Sequence, residues 1–583
     1  MAKRNNFSTH KLYIVLFFIM VGIVFILYQL FQLQVVNGEL YAEQVNNQHM
    51  TSASNIFDRG SIFFKKRDGS LMSAATMNTG FTLVVNPQKI DNIDEAYHAI
   101  QSVIEIEYDR FVDRASRTRT VHQEIAHRLN EDTAQQLRAL QLPYVQVLRD
   151  RWRAYPGSEL AAHTIGFVGF GSGQSTVLTG QYGVERYYDD LLSRNREGVR
   201  INAFAEIFSN LQHALREDTS RQGDVVLTIE PSVQAFLETT IADINETWSA
   251  QETGAIIIHP QTGALYALGK TPAFDINDFQ NVPDQQIFRN TFVESVFEMG
   301  SIIKPLIFAV GIDLDLISAD MEFYDPGSVI VRNRTIFNFD RRGRGDITMQ
   351  DVLNQSLNTG MVEISRIVPR SDMKEYLLNF GFGEKTGIDL PFETTGLISN
   401  LNTNRDVEYA NISFGQGIAL TPMSVVRALS ALGNGGYLIT PHVVSEIRRS
   451  GQFPQKISPE PGERVIAPET SEEITRMLVE VVDSTLMDGR ARMDYYSVAA
   501  KTGTAQIPSP DGGYYSDRNL HSFFGYFPAY DPEFLIFLYT IHPRGARFAS
   551  QTLAPPFMDM TRFLLNYYSI APDRDIVPAD DEI

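Results

Sequence analysis

Gly300-Ser301-Ile302-Ile303-Lys304-Pro305-Leu306-Ile307-Phe308-Ala309-Val310 is the stretch on which the reading of this chain turns. Proline fits a helix only in its first turn, where no backbone donor is lost, so Pro305 predicts that a helix starts within the stretch. The residues that follow are all apolar, and a helix apolar on every side is a buried one. Ser301 then stands at a buried helix N-terminus, where free N–H groups and the positive dipole end favour a developing oxyanion. Lys304 lies one turn further on, on the same face as the serine hydroxyl.

Two more polar words follow in order: Ser356-Leu357-Asn358 and Lys501-Thr502-Gly503-Thr504. The three together read as a serine acyl-transfer site in which a lysine replaces the histidine of the commoner triad. Each word has other copies, at Ser8-x-x-Lys11, Ser371-x-x-Lys374, Ser193-x-Asn195 and Lys385-Thr386-Gly387, so local setting has to choose. Ser8 belongs to a polar N-terminal tail, and Ser371 follows Pro369-Arg370 at the start of an ordinary surface helix. Lys385 lies in a glycine-punctuated loop. Lys501 instead ends a strand-like segment over 495–500, which the runs at 523–527 and 534–539 can pair with. A strand whose backbone faces a cleft holds an extended peptide by adding it as one more strand. Ser356 comes at the end of a helix opened by the capping-box pattern Thr348-x-x-Asp351, and Asn358-Thr359-Gly360 after it reads as a turn.

The words reach well beyond this trio. Tyr155-Pro156, Ala161-Ala162-His163 and Gly166 are followed by Gly180-Gln181-Tyr182-Gly183-Val184-Glu185, then by Leu227-Thr228-Ile229 with Gln234. Asp275-x-Asn277-x-Phe279, Ser413-Phe414-Gly415-Gln416-Gly417, Asn434-Gly435-Gly436 and Ser522-Phe523-Phe524-Gly525 come later. On these residues, from the membrane segment to about residue 545, the chain resembles the class B penicillin-binding proteins, single-activity transpeptidases of the bacterial cell wall.

The resemblance implies a role for each residue of the trio. Ser301 attacks the carbonyl between two D-alanines of a peptidoglycan stem peptide, and Lys304 takes its proton. The backbone N–H groups of Ser301 and Thr504 form the oxyanion hole. Ser356 relays the proton to the leaving D-alanine, and Asn358 positions Lys304 and the substrate amide. Lys501 supplies positive potential near the substrate carboxylate, and Thr502, Gly503 and Thr504 form the binding strand. β-Lactams act as covalent inhibitors, an amine of a neighbouring stem peptide accepts the acyl group, and no cofactor is required. The Ser-Leu-Asn-Thr-Gly context and the short path from Tyr155-Pro156 to Gly183-Val184-Glu185 look more like the septal, cell-division enzymes than the elongation enzymes that set cell shape. A polytopic membrane glycosyltransferase is the implied partner, since no glycan-polymerising domain precedes residue 220. Two other readings compete: a D,D-carboxypeptidase or β-lactam-hydrolysing serine enzyme, and a catalytically silent scaffold for wall synthesis.

Composition fits this arrangement. The 583 residues, 43% hydrophobic and 21% charged, are enough for more than one core, at roughly 100–200 residues per domain. Residues 12–31 carry no charge and at about 1.5 Å each span a hydrocarbon layer of about 30 Å, which predicts an uncleaved transmembrane helix. Lys3, Arg4 and Lys11 precede it and no Lys or Arg follows until Arg59. That asymmetry puts residues 1–11 in the cytoplasm and the catalytic part outside the cell membrane.

The expected organisation is then a pedestal over 37–220, a transpeptidase domain over 224–570 and a disordered acidic tail over 571–583. Strands at 225–229, 254–259 and 264–268 and a helix at 233–244 predict an α+β fold, with helices on an antiparallel sheet. A net charge of −20 argues against nucleic acid. Eleven histidines with no paired spacing, His163, His213 and His521 among them, predict no metal site, and the absence of cysteine excludes disulfides and thiol catalysis. Glu298 reads as a charge at the approach to the helix.

Overall fold

A computed structural model of the chain describes residues 17, 20, 21, 58–170, 178–194, 222–460 and 462–574. The expected membrane anchor lies outside the described residues apart from Phe17, Met20 and Val21. Among the described residues no helix is long and apolar enough to cross a membrane. The described chain forms two compact units.

The smaller unit takes in residues 77–152. The second part of strand Leu71–Val85 pairs antiparallel with Gln123–Leu129, Phe81 opposite Leu129 and Val84 opposite Glu124. Helices Ile93–Gln101, Tyr108–Ala115 and Glu131–Ala139 close a core of Leu83, Val85, Tyr97, Ile100, Phe111, Ile125 and Leu137. Their starts follow local chemistry. The Asn92 side chain accepts from the N–H groups of Asp94 and Glu95, and Asn130 accepts from Thr133 N, which satisfies donors that a helix leaves open.

The larger unit holds residues 59–76, 153–194 and 210–583. Its centre is an antiparallel five-stranded sheet in the order Ala499–Pro508, Tyr514–Phe527, Phe534–Ile541, Glu252–Ile258, Leu265–Thr271. Register carries Lys501 opposite Phe524, Phe524 opposite Phe537, Phe537 opposite Ile256 and Ile256 opposite Leu268. Because strand side chains alternate between faces, this row and its neighbours divide into two cores. Phe524, Phe537, Ile256 and Leu268 pack with Ile302, Leu306 and Phe308 on one side. Phe523, Leu538 and Ala255 pack with Val233, Leu237, Phe557 and Leu564 on the other, under helices Pro231–Thr247 and Ala554–Tyr568. Helices on both faces of an antiparallel sheet give the α+β arrangement expected for this part of the chain.

Element ends differ from the sequence reading. The strand read over 495–500 instead spans Ala499–Pro508, so Lys501 lies inside it rather than at its end. The acidic tail was expected from 571, yet Asp573 accepts from Ser497 N at 2.7 Å and Arg574 pairs with Asp483 at 2.8 Å. Those two bonds hold residues 573 and 574 in the fold, and 575–583 lie outside the described residues. Residues 195–221, at the end of the expected pedestal, likewise lie outside the described residues.

A second sheet of the larger unit is built around hairpin strand Ile62–Lys65, which pairs with Leu71–Val85 and, in parallel, with Gly223–Leu227. Beside it lies a buried ion cluster. Glu185, with no exposed side-chain surface, receives Arg59 Nε at 2.5 Å and Arg153 Nε at 2.6 Å, and Arg59 also reaches Asp189 at 2.7 Å. Burial pushes the Glu185 carboxyl up, but the two guanidiniums outweigh it and hold it below its ordinary value. Removing one partner of such a cluster leaves buried charge uncompensated. Glu185→Gln should therefore destabilise the larger unit by about 3–5 kcal/mol near neutral pH, read as a fall in the urea midpoint. A carboxylate with a depressed folded pKa contributes fully above its unfolded value and loses that contribution as pH falls through the folded one. The gap between wild type and variant should therefore narrow in acid. A gap below 1 kcal/mol, or one that widens in acid, contradicts this account.

Candidate active site

Ser301 sits in a 3₁₀ turn, Gly300–Ile303, that runs directly into helix Lys304–Asp313. Pro305 falls in the first turn, and residues 304–311 are all buried. The turn is wedged between two elements. Gly300 N donates to Gly415 O at 3.0 Å, and a side chain at Gly300, whose φ is +64°, would meet the carbonyl oxygen of Thr504 at 2.8 Å. Ser522 Oγ donates to Met299 O at 2.7 Å, and Gly503 leaves the room this contact needs, since a Cβ there would lie 2.3 Å from Ser522 Oγ. The backbone of the nucleophile turn is thus fitted against the Lys501–Thr504 strand.

Lys304 is completely buried, and its ammonium finds three oxygens: Ser356 O at 2.7 Å, Asn358 Oδ1 at 2.9 Å and Ser356 Oγ at 3.3 Å. Burial pushes its pKa well below the ordinary lysine value, and the charge of Lys501 pushes it the same way. Ser356 itself has φ +56°, a left-handed conformation that costs a non-glycine residue strain and that clusters at functional sites. It lies in the link between helices Met349–Asn354 and Asn358–Ile367.

Asn358-Thr359-Gly360 was read as a turn and is instead the first turn of a helix. A distant residue makes the difference: Asn338 Oδ1 accepts from Asn358 N at 2.9 Å and Thr359 N at 3.2 Å, acting as a cap supplied from outside the local sequence. Asn338 is fixed in turn by Asp325, which receives its amide at 2.9 Å and the Thr359 hydroxyl at 2.7 Å. Asn358 Nδ2 donates to Phe337 O at 3.0 Å, which leaves Oδ1 facing Lys304. Asp325 and Asn338 were not recognised from sequence, since neither lies in a motif near the residues it serves.

Lys501 is 2% exposed, donates to Thr502 O at 3.2 Å, and has its pKa lowered to about 7 by burial. Its strand is the first of the five-stranded sheet, so one backbone edge has no strand partner within that sheet. Thr504 Oγ1 accepts from Ala549 N at 3.2 Å, tying the strand to the segment that follows the sheet. Ser301, Ser356, Asn358, Lys501, Thr502 and Thr504 all line one cleft of about 730 Å³. The structure therefore brings together seven of the eight residues singled out from sequence, with Lys304 held behind the cleft by Ser356 and Asn358. The eighth, Gly503, contributes space rather than a side chain. Arg344, Phe339 and Phe548 also line the cleft without having been read from sequence, and Gln416 of the Ser413–Gly417 word lines it too.

The competing copies are elsewhere. Ser371 is exposed and donates to Asp372, while Lys374 donates to Asn402; Lys385 is exposed on a loop. Ser8 lies outside the described residues. Glu298, read as a charge at the approach to the helix, accepts from Gly417 N at 3.0 Å and from the Tyr514 hydroxyl at 2.9 Å, and burial raises its pKa. His163 and His521 are buried, and burial lowers their pKa values to about 3 and about 4. Among the described residues no group of three or more His, Asp or Glu is placed to hold a metal ion.

Known proteins share this design. Residues 253–560 match the penicillin-binding protein transpeptidase domain, and residues 58–227 match the penicillin-binding protein dimerisation domain. The chain is 28% identical to stage V sporulation protein D of Bacillus subtilis, over 92% of this chain and 83% of that protein. It is 25% identical to the peptidoglycan D,D-transpeptidase FtsI of Escherichia coli K12, over 83% of this chain and 79% of the relative. Penicillin binding protein 2X of Streptococcus thermophilus has the same fold at a TM-score of 0.70 and 16% identity, covering 89% of this chain and 81% of that structure. Penicillin binding protein 3 of Mycobacterium tuberculosis, solved with aztreonam, gives 0.67 at 22% identity, covering 89% and 98%. With the transpeptidase match spanning more than half of its length and the dimerisation match preceding it, the chain belongs to the class B penicillin-binding proteins, the D,D-transpeptidase enzymes.

Proposed function

We propose that this transpeptidase is anchored in the cell membrane by residues 12–31, faces the outside, and cross-links stem peptides during septal wall synthesis through a serine acyl-enzyme that penicillin also forms. The observation that carries the reading is Lys304. A fully buried amine whose pKa is driven well down, held by Ser356 and Asn358 one turn from Ser301, is a base whose neutral, proton-accepting form is favoured.

In the proposed reaction the Ser301 proton passes to Lys304 as Oγ bonds to the D-alanyl carbonyl carbon. The oxyanion is received by the N–H groups of Ser301 and Thr504. Ser356, in contact with Lys304, delivers the proton to the departing D-alanine nitrogen as the C–N bond breaks. An acceptor amine then attacks the ester, the new amide forms, and Ser301 recovers its proton. Lys501 and the Thr502 and Thr504 hydroxyls hold the terminal carboxylate, with the donor peptide lying along the open strand edge. The septal role and a polytopic glycosyltransferase partner rest on the Ser-Leu-Asn-Thr-Gly context and on the compact pedestal words, and the membrane placement rests on the apolar run with its flanking cations.

Fluorescent penicillin followed by peptide mapping should label Ser301 alone, and cells depending on Ser301→Ala should elongate without dividing. Label on Ser371, or no label on folded protein, would remove the nucleophile assignment; cells that round up rather than filament would remove the septal one.

The two lysines predict a pH profile. Acylation needs Lys304 neutral, so kcat/KM rises with pH through its lowered pKa, and it needs Lys501 charged, so it falls above about 7. Lys501→Ala removes the like charge that lowers Lys304, so the acid limb should move to higher pH and the limb near 7 should vanish. Lys304→Arg, which cannot accept a proton, should lose acylation throughout. An unmoved acid limb in Lys501→Ala, or near wild-type rates in Lys304→Arg, would contradict the assignment.

The two Lys-Thr-Gly copies should also separate. Loss of a charge-assisted bond to the substrate carboxylate makes Lys501→Ala slower by about tenfold to a hundredfold at pH 7. Lys385→Ala, on an exposed loop, should change acylation by less than about threefold. Equal losses would show that the binding strand was misassigned.

A further inference from the structure

Away from the cleft, the larger unit contains a second cavity, of about 560 Å³, a size common to small-molecule sites. Three arginines from three elements line it. Arg332 comes from the turn of hairpin Ser328–Val331/Arg334–Phe337, Arg366 from the last turn of helix Asn358–Ile367, and Arg370 from the start of helix Arg370–Asn379. Such convergence runs against the bulk charge of −20. Acidic partners are few: Asp406 is shared, 2.6 Å from Arg332 Nε and bonded through its other oxygen to Arg370, while Arg366 reaches Glu363 at 3.2 Å. Each guanidinium has five N–H donors, and these bonds leave some over on each arginine. Val362 and Tyr409 give the cavity an apolar side, with the Arg370 guanidinium 5.8 Å from the Tyr409 ring centre.

Arg332 is the unusual member. It occupies the first position of a two-residue hairpin turn with φ +58°, where glycine is the common choice. Its side chain is 76% exposed, so packing does not account for an arginine in a conformation that costs strain. Both elements that carry Arg332 and Arg366 also orient Asn358. The hairpin supplies Phe337 O, which receives Asn358 Nδ2 at 3.0 Å, and the helix that ends beside Arg366 begins at Asn358. Its ten residues span about 15 Å.

We propose that this cavity binds a small organic anion, a carboxylate or phosphate engaging the guanidiniums and an apolar group lying against Val362 and Tyr409, and that its occupancy is felt at Asn358. Guanidinium forks match both oxyanions bidentately, which is why the chemistry is common to the two. A ligand that ties Arg332 to Arg366 holds the hairpin to the helix, and with them the two contacts that aim the Asn358 amide.

The test titrates the full chain calorimetrically with phenyl phosphate, phenylacetate and neutral benzyl alcohol, in wild type and in the double variant Arg332→Gly/Arg366→Gln. Glycine suits the φ at 332, so the variant should keep its melting temperature, which is measured alongside. Saturable binding of at least one anion, weakened about tenfold or more in the folded variant, is the expected result. Binding of phenyl phosphate alone identifies a phosphate ligand, and binding of phenylacetate identifies a carboxylate. No binding of either anion, equal binding of benzyl alcohol, or unweakened binding in the variant overturns the site. In a second readout, a saturating anion should change the rate of penicillin acylation at least twofold in wild type and not in the variant. An unchanged rate with binding established overturns the coupling to Asn358. That readout rests on the Ser301 assignment whereas the titration does not, and Ser301→Ala should bind the anion as wild type does.

Discussion

A lysine ammonium buried without exposed surface is the constraint around which the catalytic unit is organised. Desolvating a charge costs several kcal/mol unless oxygens replace water around it or the group gives up its proton. Lys304 has both routes: three oxygens from Ser356 and Asn358 stand at bonding distance, and its pKa is driven down. The surrounding features follow from holding those oxygens in place. Ser356 turns its carbonyl and hydroxyl toward the amine through a left-handed backbone, and Asn358 keeps its amide oxygen inward because its nitrogen is engaged by Phe337 O. Behind them, Asp325 and Asn338 form a buried, mutually satisfied network that caps the Asn358 helix. Such networks specify one arrangement when every member has a partner.

The same demand explains the apolar helix. Residues Leu306 to Val310 share one buried core with Phe524, Phe537 and Ile256 of the sheet, and this removes water from the amine while Ser301 is set against the strand that carries Lys501. Alternation does the rest. Lys501 begins the cross-strand row whose other members face the nucleophile helix, and Gly503, on the same face two residues on, gives way to Ser522 and Met299. A one-residue slip in that register would send Lys501 to the opposite core.

What could be read from sequence was whatever had a local cause. Pro305 marked its helix because a missing N–H is harmless only in a first turn, and the Thr348-x-x-Asp351 pattern formed the reciprocal cap it implies. Asn358-Thr359-Gly360 misled because the residue that makes it helical, Asn338, lies twenty positions earlier. The partners of Glu298 were out of reach for a similar reason: Gly417 and Tyr514 come from a loop and a strand far along the chain. The tail was extended too far upstream because Asp573 and Arg574 look solvated by composition, whereas Ser497 and Asp483 hold them. Strand limits slid because the alternation of 499–508 continues beyond the motif, through residues whose polarity alone suggests a loop.

The two lysines are best understood as a pair. Lys501 lowers the proton affinity of Lys304 in the free enzyme, second only to burial, and so helps keep the base neutral while the cleft is open to water. Under the proposed mechanism the substrate brings a carboxylate to Lys501. Its negative charge offsets the field that Lys501 exerts on Lys304, while the desolvation of Lys304 remains. The base therefore gains proton affinity at the moment when the Ser301 proton has to be accepted, and loses it again when the leaving D-alanine carries the carboxylate away. Proton uptake and release would then follow the arrival and departure of one charge. A lysine serves here where a histidine would not, because burial and a neighbouring cation together can bring an ordinarily strong base into the working range.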